Sequence, residues 1–327
     1  MSDVAANVHA LVLAGARASG DPLAAAHGVE SKALIEIGGE PMLARVLRAL
    51  AQSNRLKNAP LVTGLAQATL DKARGGADAI AAPAAIGGPA ASVLGAIDGG
   101  ARLPLLVTTC DHALLTPDMV RHFLSAALEG GADLSIGFAT KETIQAQYPD
   151  TRRTYLPFGG APVSGCNLFL IASPEALKVI RFWRQAEQDR KKPWKVALRF
   201  GPFTALRLLI GKPSADRAFA ILSKRFGARI APILLPFADA AVDVDSEADL
   251  ALVRRVLAAR AQALISQNGA PNGAAPAAAP SGQAGNGGRS PRALEQLAQT
   301  LELTPAQQEA ARDAVREAVM SGPPPGP

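Results

Sequence analysis

Short apolar runs alternate with longer stretches of helical period along most of the chain, and this alternation limits the fold more than any other feature of the sequence. The runs VHALVLA (8–14), APLVTGL (59–65), LPLLVTTCD (103–111) and DLSIGFAT (133–140) are rich in strand formers and end in glycine or small polar residues. Between them, residues 41–56 carry apolar side chains at 42, 43, 46, 47 and 50 behind Pro41, the spacing of one helix face. TLDKARGGADAI reads as helix, glycine stop and strand, and SVLGAIDGGA as a helix ended by Gly99 and Gly100. Residues 116–132 read as a helix with Thr116 as cap and Pro117 at its first position. Strand–helix alternation of this kind predicts right-handed βαβ units, hence an α/β fold with a mostly parallel sheet and helices on both faces.

The alternation loosens over 140–230. A strand is expected at CNLFLIAS, a capped helix at SPEALKVIRFWRQAEQ, strands at 229–235 and 241–244, and a closing helix over 246–265. Residues 266–291 are almost all Gly, Pro, Ala, Ser, Asn and Gln, a composition that cannot bury a core and predicts a flexible linker. Residues 292–320 read as a short helical pair, with a capping-box pattern at Thr304–Gln307. The expected organisation is thus one domain over 1–265, with an acceptor-side or lid region at 140–230, then linker and helical pair.

Charge and cysteine usage narrow the partners. The net charge of +6 favours anionic ligands, but two tyrosines and two tryptophans offer little surface for base stacking, so nucleic acid is not expected. Cys110 and Cys166 form no CxxC pair and lie in apolar runs, which fits a reducing cytoplasm rather than a disulfide framework. The N-terminus lacks the pattern of a signal peptide, and no run of about 18 apolar residues is present to span a bilayer. Ten basic residues lie between Lys191 and Arg229, interleaved with aromatics; they suit either an anionic acceptor or peripheral contact with an anionic membrane.

The first strand runs into LVLAGARASGDP (11–22), a glycine-bearing loop with Arg17, followed by Lys32 in SKALIEIGGEPML. Backbone N–H groups in such a loop point at anions. It is neither a Walker A motif nor GxGxxG. Taken with GGPAASVLGAI, LLVTTCDHALLTPDMV, GCNLFLIAS and AVDVDSEADLALV, the stretch resembles a nucleotidyltransferase superfamily. That superfamily includes molybdenum-cofactor guanylyltransferase and the sugar-phosphate and methylerythritol-phosphate cytidylyltransferases. The resemblance covers about residues 8–262, with Ala16 in place of the second loop glycine and a long gap between Gly15 and Lys32. It implies a Rossmann-like domain of the nucleotide-diphospho-sugar transferase type. The implied reaction joins a nucleoside triphosphate to a small phosphomonoester and releases pyrophosphate, with Mg²⁺ as cofactor.

On that resemblance Leu13, Ala14, Gly15, Ala16 and Arg17 form the triphosphate loop, Lys32 contacts the α-phosphate and Arg17 the β- and γ-phosphates. Asp111 ends a central strand, where open α/β sheets bind ligands, and is the first metal carboxylate; Asp245 is the second, with Asp243 its neighbour on the same strand face. His112 is read as structural, since Mg²⁺ seldom takes imidazole. Gly87, Gly88 and Ser92 stand where main-chain groups could read a base edge, in a loop like that of the cytidylyltransferases, which leans the base toward cytosine. Gly165 and Asn167, with Lys191, Lys192 and Lys195, are the acceptor-side candidates, for a phosphoglycerate-like acid, polyol phosphate or sugar phosphate. Three other readings share parts of this pattern: a GTP-dependent molybdenum-cofactor guanylyltransferase-like enzyme, a GT-A-type glycosyltransferase using a DxD pair, and a non-catalytic nucleotide-binding adaptor.

Overall fold

The computed structural model describes residues 8–15, 20–83, 87–151, 153–156, 160–188 and 214–268. Seven strands form a single sheet: β1 (His9–Leu13), β2 (Leu61–Thr63), β3 (Ile80–Ala82), β4 (Leu105–Thr109), β5 (Leu134–Thr140), β6 (Val163–Ile171) and β7 (Ile230–Leu234). Their order is β3-β2-β1-β4-β6-β5-β7. Every neighbouring pair is parallel except those of β6, which runs antiparallel to both β4 and β5. The mostly parallel α/β sheet expected from the alternation is therefore present, with one reversed strand inside it.

Nine α-helices are described: α1 (Pro22–Ala26), α2 (Met42–Gln52), α3 (Gln67–Ala73), α4 (Pro89–Asp98), α5 (Pro117–Gly130), α6 (Lys141–Gln147), α7 (Ala176–Gln188), α8 (Ala215–Phe226) and α9 (Glu247–Asn268). Alternation along the strands sorts the core into two layers. Ala10 and Val12 of β1 pack with Leu43, Leu47 and Leu50 of α2, Leu70 of α3 and Phe123 of α5. Leu11 of the same strand faces the other way, with Leu105 and Val107 of β4, Val93 of α4 and Phe219 of α8. Both faces of the sheet are thus covered, as a parallel sheet requires.

Local signals account for several boundaries. Thr116 caps α5 by accepting from the Met119 backbone N–H at 3.3 Å, and Gly131 ends the helix in a left-handed conformation (φ 59°). The long gap between Gly15 and Lys32 holds α1, whose first turn is capped by Asp21 through Leu23 N (2.9 Å) and Ala24 N (3.2 Å).

Three expectations need correction. The strand expected over 241–244 is not formed: Ala241 closes a 3-10 turn, Ala238–Ala241, Val242 after it is extended, and residues 242–245 belong to no strand. Alternating VDV reads as extended backbone, but a ladder also needs a free strand edge, and the tie found here is the single bond from Val244 N to the Asp111 carbonyl (3.1 Å). The closing helix runs to Asn268, beyond the expected start of the linker at 266. Ser92 lies one turn inside α4, not at its start; Gly88 is the cap residue, and the Ser92 hydroxyl donates back to the Gly88 carbonyl at 3.4 Å. The chain divides into two units, Met1–Val253 and Arg254–Pro327; the helical pair expected at 292–320 lies outside the described residues.

Candidate functional site

The sheet order reverses at β1, whose neighbours are β2 on one side and β4 on the other, so a crevice opens beyond the carboxyl ends of β1 and β4. Leu13, Ala14 and Gly15 leave β1 into it, while Cys110 and Asp111 leave β4 beside them, tied by Cys110 N donating to the Leu13 carbonyl at 3.0 Å. The β4–β6 ladder pairs Leu105–Val107 with Phe169–Ile171. Towards the site β6 then bulges against β5, with Asn167 in the left-handed region (φ 48°).

Two carboxylates converge on one ammonium in this crevice. Lys32 Nζ donates to Asp111 Oδ2 at 2.5 Å and to Asp245 Oδ1 at 2.9 Å. Lys32 opens a 3-10 turn, Lys32–Leu34, whose cap Ser31 accepts from Ala33 N, and the fully buried Ala33 anchors that turn in the core. A tight turn follows: Ile37 N donates to the Glu40 carbonyl, and Gly38 and Gly39 both have positive φ (64° and 79°), which glycine adopts without strain. Arg45 then joins this turn to the one after β4, donating to the Ala113 carbonyl at 3.3 Å.

Asp111 is buried, and its other oxygen accepts from the Thr109 hydroxyl. Burial works to lower the Lys32 pKa, but the charge and hydrogen bond of Asp111, with the charge of Asp245, outweigh it and hold the ammonium protonated above its usual range. His112 behind it is fully buried, and burial pulls its imidazole down to about 4, so it is neutral near pH 7. Burial also pushes the Cys110 and Cys166 thiols up, which makes both poor nucleophiles.

Asp243 and Asp245 have different partners. Its carboxylate accepts from Arg153 Nη1, while Arg153 Nη2 donates to Asp249 Oδ1 at 3.0 Å. Burial raises the Asp243 pKa against the pull of Arg153, and the charges of Asp245 and Asp111 add to the rise. The Asp–Val–Asp pair is thus divided between two cations, and Arg153 is a site-adjacent residue that sequence reasoning missed. Its partners lie 90 and 96 positions away, so no local signal marks it.

A second missed residue is Gly64. Its φ is 92°, and a Cβ there would stand 2.3 Å from the Cα of Gly15, so the turns after β1 and β2 touch backbone to backbone. Gly87 (φ 139°) and Gly88 lie at the start of α4, where Ala90 N donates to Glu187 Oε1 at 3.2 Å. Gly165 is exposed and Asn167 half-buried, on the half of β6 nearer the crevice. Ala16, Arg17, Lys191, Lys192 and Lys195 lie outside the described residues. Arg229, the far end of the basic segment, precedes the start of β7; since β7 runs parallel to β5, it stands at the sheet edge opposite Asp111.

Oxygen donors of the kind Mg²⁺ prefers are present at the crevice. Asp111 and Asp245 already share one cation, the Lys32 ammonium, and such a pair suits a hard divalent ion completed by phosphate and water oxygens. Among the described residues, no group of three or more His, Cys, Asp or Glu side chains is placed to hold a metal by itself. Nor is any helix among them long and apolar enough to cross a membrane.

The family model described as the MobA-like NTP transferase domain matches residues 10–192. A hypothetical transferase structure from Thermus thermophilus is similar at 31% identity and a TM-score of 0.63, covering 74% of this chain and 98% of its own. A CMP:2-keto-3-deoxy-manno-octonic acid synthetase complexed with CTP aligns at 12% identity and a TM-score of 0.49, over 77% of this chain and 99% of that one. A 2-C-methyl-D-erythritol 4-phosphate cytidylyltransferase, also from Thermus thermophilus, aligns at 18% and 0.40, over 76% and 98%. No curated protein matches the chain.

Proposed function

The chain belongs to the MobA-like NTP transferase family and is by that membership a nucleotidyltransferase, and from this premise we propose that it joins a nucleoside triphosphate to a small phosphomonoester with release of pyrophosphate. The observation that carries the reading is the meeting of Asp111 and Asp245 on Lys32 at the carboxyl edge of β1 and β4. In such a transfer an acceptor phosphate oxygen attacks the α-phosphorus in line while the pyrophosphate oxygen leaves. No covalent enzyme intermediate is required, so the protein's part is to orient the two phosphates and neutralise their charge. The loop from Leu13 to Arg17 supplies main-chain N–H groups and one guanidinium to the triphosphate. Lys32, kept protonated, faces the α-phosphate. Asp111 and Asp245 would hold Mg²⁺, which when bound neutralises phosphate oxygens.

The finer assignments extend this reading. At the start of α4 the Glu187 carboxylate lies against Gly88 and accepts from Ala90 N, so a base read there by main-chain groups takes the place of that carboxylate; cytosine is the base we favour. Gly165 and Asn167 flank the crevice on the β6 side and serve the acceptor, with Lys191, Lys192 and Lys195 adding charge for its phosphate.

Pyrophosphate release tests the reading, measured with CTP, GTP, ATP and UTP against phosphorylated acids, polyols and sugars. One triphosphate–acceptor pair should turn over, and Asp111→Asn, Asp245→Asn and Lys32→Met should each lower kcat about 10²-fold or more, the scale of losing one preorganised charge contact. Pyrophosphate release from no pair, or wild-type turnover by Asp111→Asn at limiting Mg²⁺, would overturn it.

A further inference from the structure

Asp245 rides on a segment with no strand partner, yet its carboxylate meets Lys32 at 2.9 Å. Three ties hold that segment. Val244 N donates to the Asp111 carbonyl at 3.1 Å. Upstream, buried Asp239 accepts from the Tyr148 hydroxyl and from the Gln147 side-chain amide at 3.3 Å. Around Asp245 itself, the Arg153 guanidinium spans Asp243 and Asp249, two residues before and four after. Two of the three ties therefore come from one passage, 147–153, at the end of α6.

We infer that Arg153 is a positioning residue for Asp245, gripping the chain on either side so that the Asp245 carboxylate is presented to Lys32 beside Asp111. The inference rests on the reading that Asp245 works on the triphosphate. A guanidinium is planar and its donors keep a fixed separation, so one Arg that binds two carboxylates sets the distance between them. That distance spans the turn from extended chain into α9. Ser246 supports the same turn, its hydroxyl donating to Asp249 Oδ2 at 2.6 Å and accepting from Asp249 N. The Arg153 side chain is 9% exposed, against 64% for Asp245, so the grip is fixed in the protein while the carboxylate it presents is open to ligand. Without Arg153 the segment is left with the buried Val242 and Val244 side chains and the single bond from Val244 N, which then opens more often.

The test compares the full chain with Arg153→Gln, Arg153→Lys and Asp249→Asn. Two readouts are taken on each: amide hydrogen exchange at Val244, and kcat with the KM for triphosphate, all below the lowest melting temperature of the set. Arg153→Gln should speed exchange at Val244 at least tenfold and lower kcat about 10- to 100-fold, the cost of misplacing a reacting contact by about 1 Å, with the KM within about twofold. Arg153→Lys should recover part of both. Asp249→Asn, which keeps the Asp243 contact, should move both in the same direction by less, and it decides the question where Arg153→Gln fails to fold. Unchanged exchange in Asp249→Asn and in whichever Arg153 variants fold would overturn the inference. So would faster exchange with wild-type kcat, or a fall in kcat without faster exchange. If the wild-type chain transfers no nucleotide, the functional reading fails, and the exchange at Val244 still decides whether Arg153 holds the segment.

Discussion

At the scale of single residues, the site depends on contacts between chain segments far apart in sequence, such as Lys32 with Asp111 and Gly64 with Gly15. Lys32 and Asp111 stand in motifs whose order along the chain betrays their type, and they meet at 2.5 Å. Arg153 and Gly64 carry no such mark, because what each does depends on chain far away in sequence. Gly64 allows a sharp prediction. Gly64→Ala would need a Cβ 2.3 Å from the Gly15 Cα at a φ of 92°, and the atoms it would meet are all backbone, with no flexible side chain to move aside. Denaturant unfolding should show a loss of at least about 2 kcal/mol, the combined scale of a strained φ and an overpacked contact. A loss below about 0.5 kcal/mol would mean that the two turns do not touch as described.

At the scale of elements, local chemistry was readable wherever the signal and its effect lay within one turn. Thr116 and Pro117 announce α5 because cap and first residue act on neighbours three positions away. Short elements escaped: α1 has five residues and α6 seven, too few to show a periodic face. The chain at 242–245 misled in the other direction, since extended backbone is a local property and strand pairing is not. Pairing of the outermost strand has a pH signature. Asp133, just before β5, accepts from the Ser173 hydroxyl and from Arg229 N beside β7, both at 2.6 Å, and these bonds hold its carboxyl below the usual range. The folded pKa lies below the unfolded one, so the unfolded chain binds more protons at acid pH. The stabilisation is full above about pH 4 and is lost as pH falls through the lowered value. Asp133→Asn should therefore cost about 1–2 kcal/mol at pH 7, and the gap to wild type should close in unfolding curves taken below pH 4. A gap that stays constant down to pH 2 would count against the carboxylate's role.

At the scale of the whole molecule, the residues proposed to act on the triphosphate fall between 13 and 245, and the family match spans 10–192. The second unit, from Arg254, supplies none of them. Ending the chain after Asn268, where the described part of α9 stops, should leave kcat and both KM values within about twofold of the full chain. Loss of most turnover in a folded truncated protein would show that the remaining residues complete the site.

One strand runs against the rest, and its reversal divides the labour of the sheet. A parallel strand meets the crevice only where it ends. Because β6 is antiparallel, the chain passes the crevice on its way in, through the stretch from α6 to Val163, and leaves at the opposite edge. That passage is bordered by β5 and β6, not by β1 and β4. A fold wired this way can keep one apparatus for handling triphosphates and change what it attaches to them by rewriting a single inbound stretch. Arg153 sets a limit on such rewriting, because it belongs to the inbound passage and yet grips the chain on either side of Asp245.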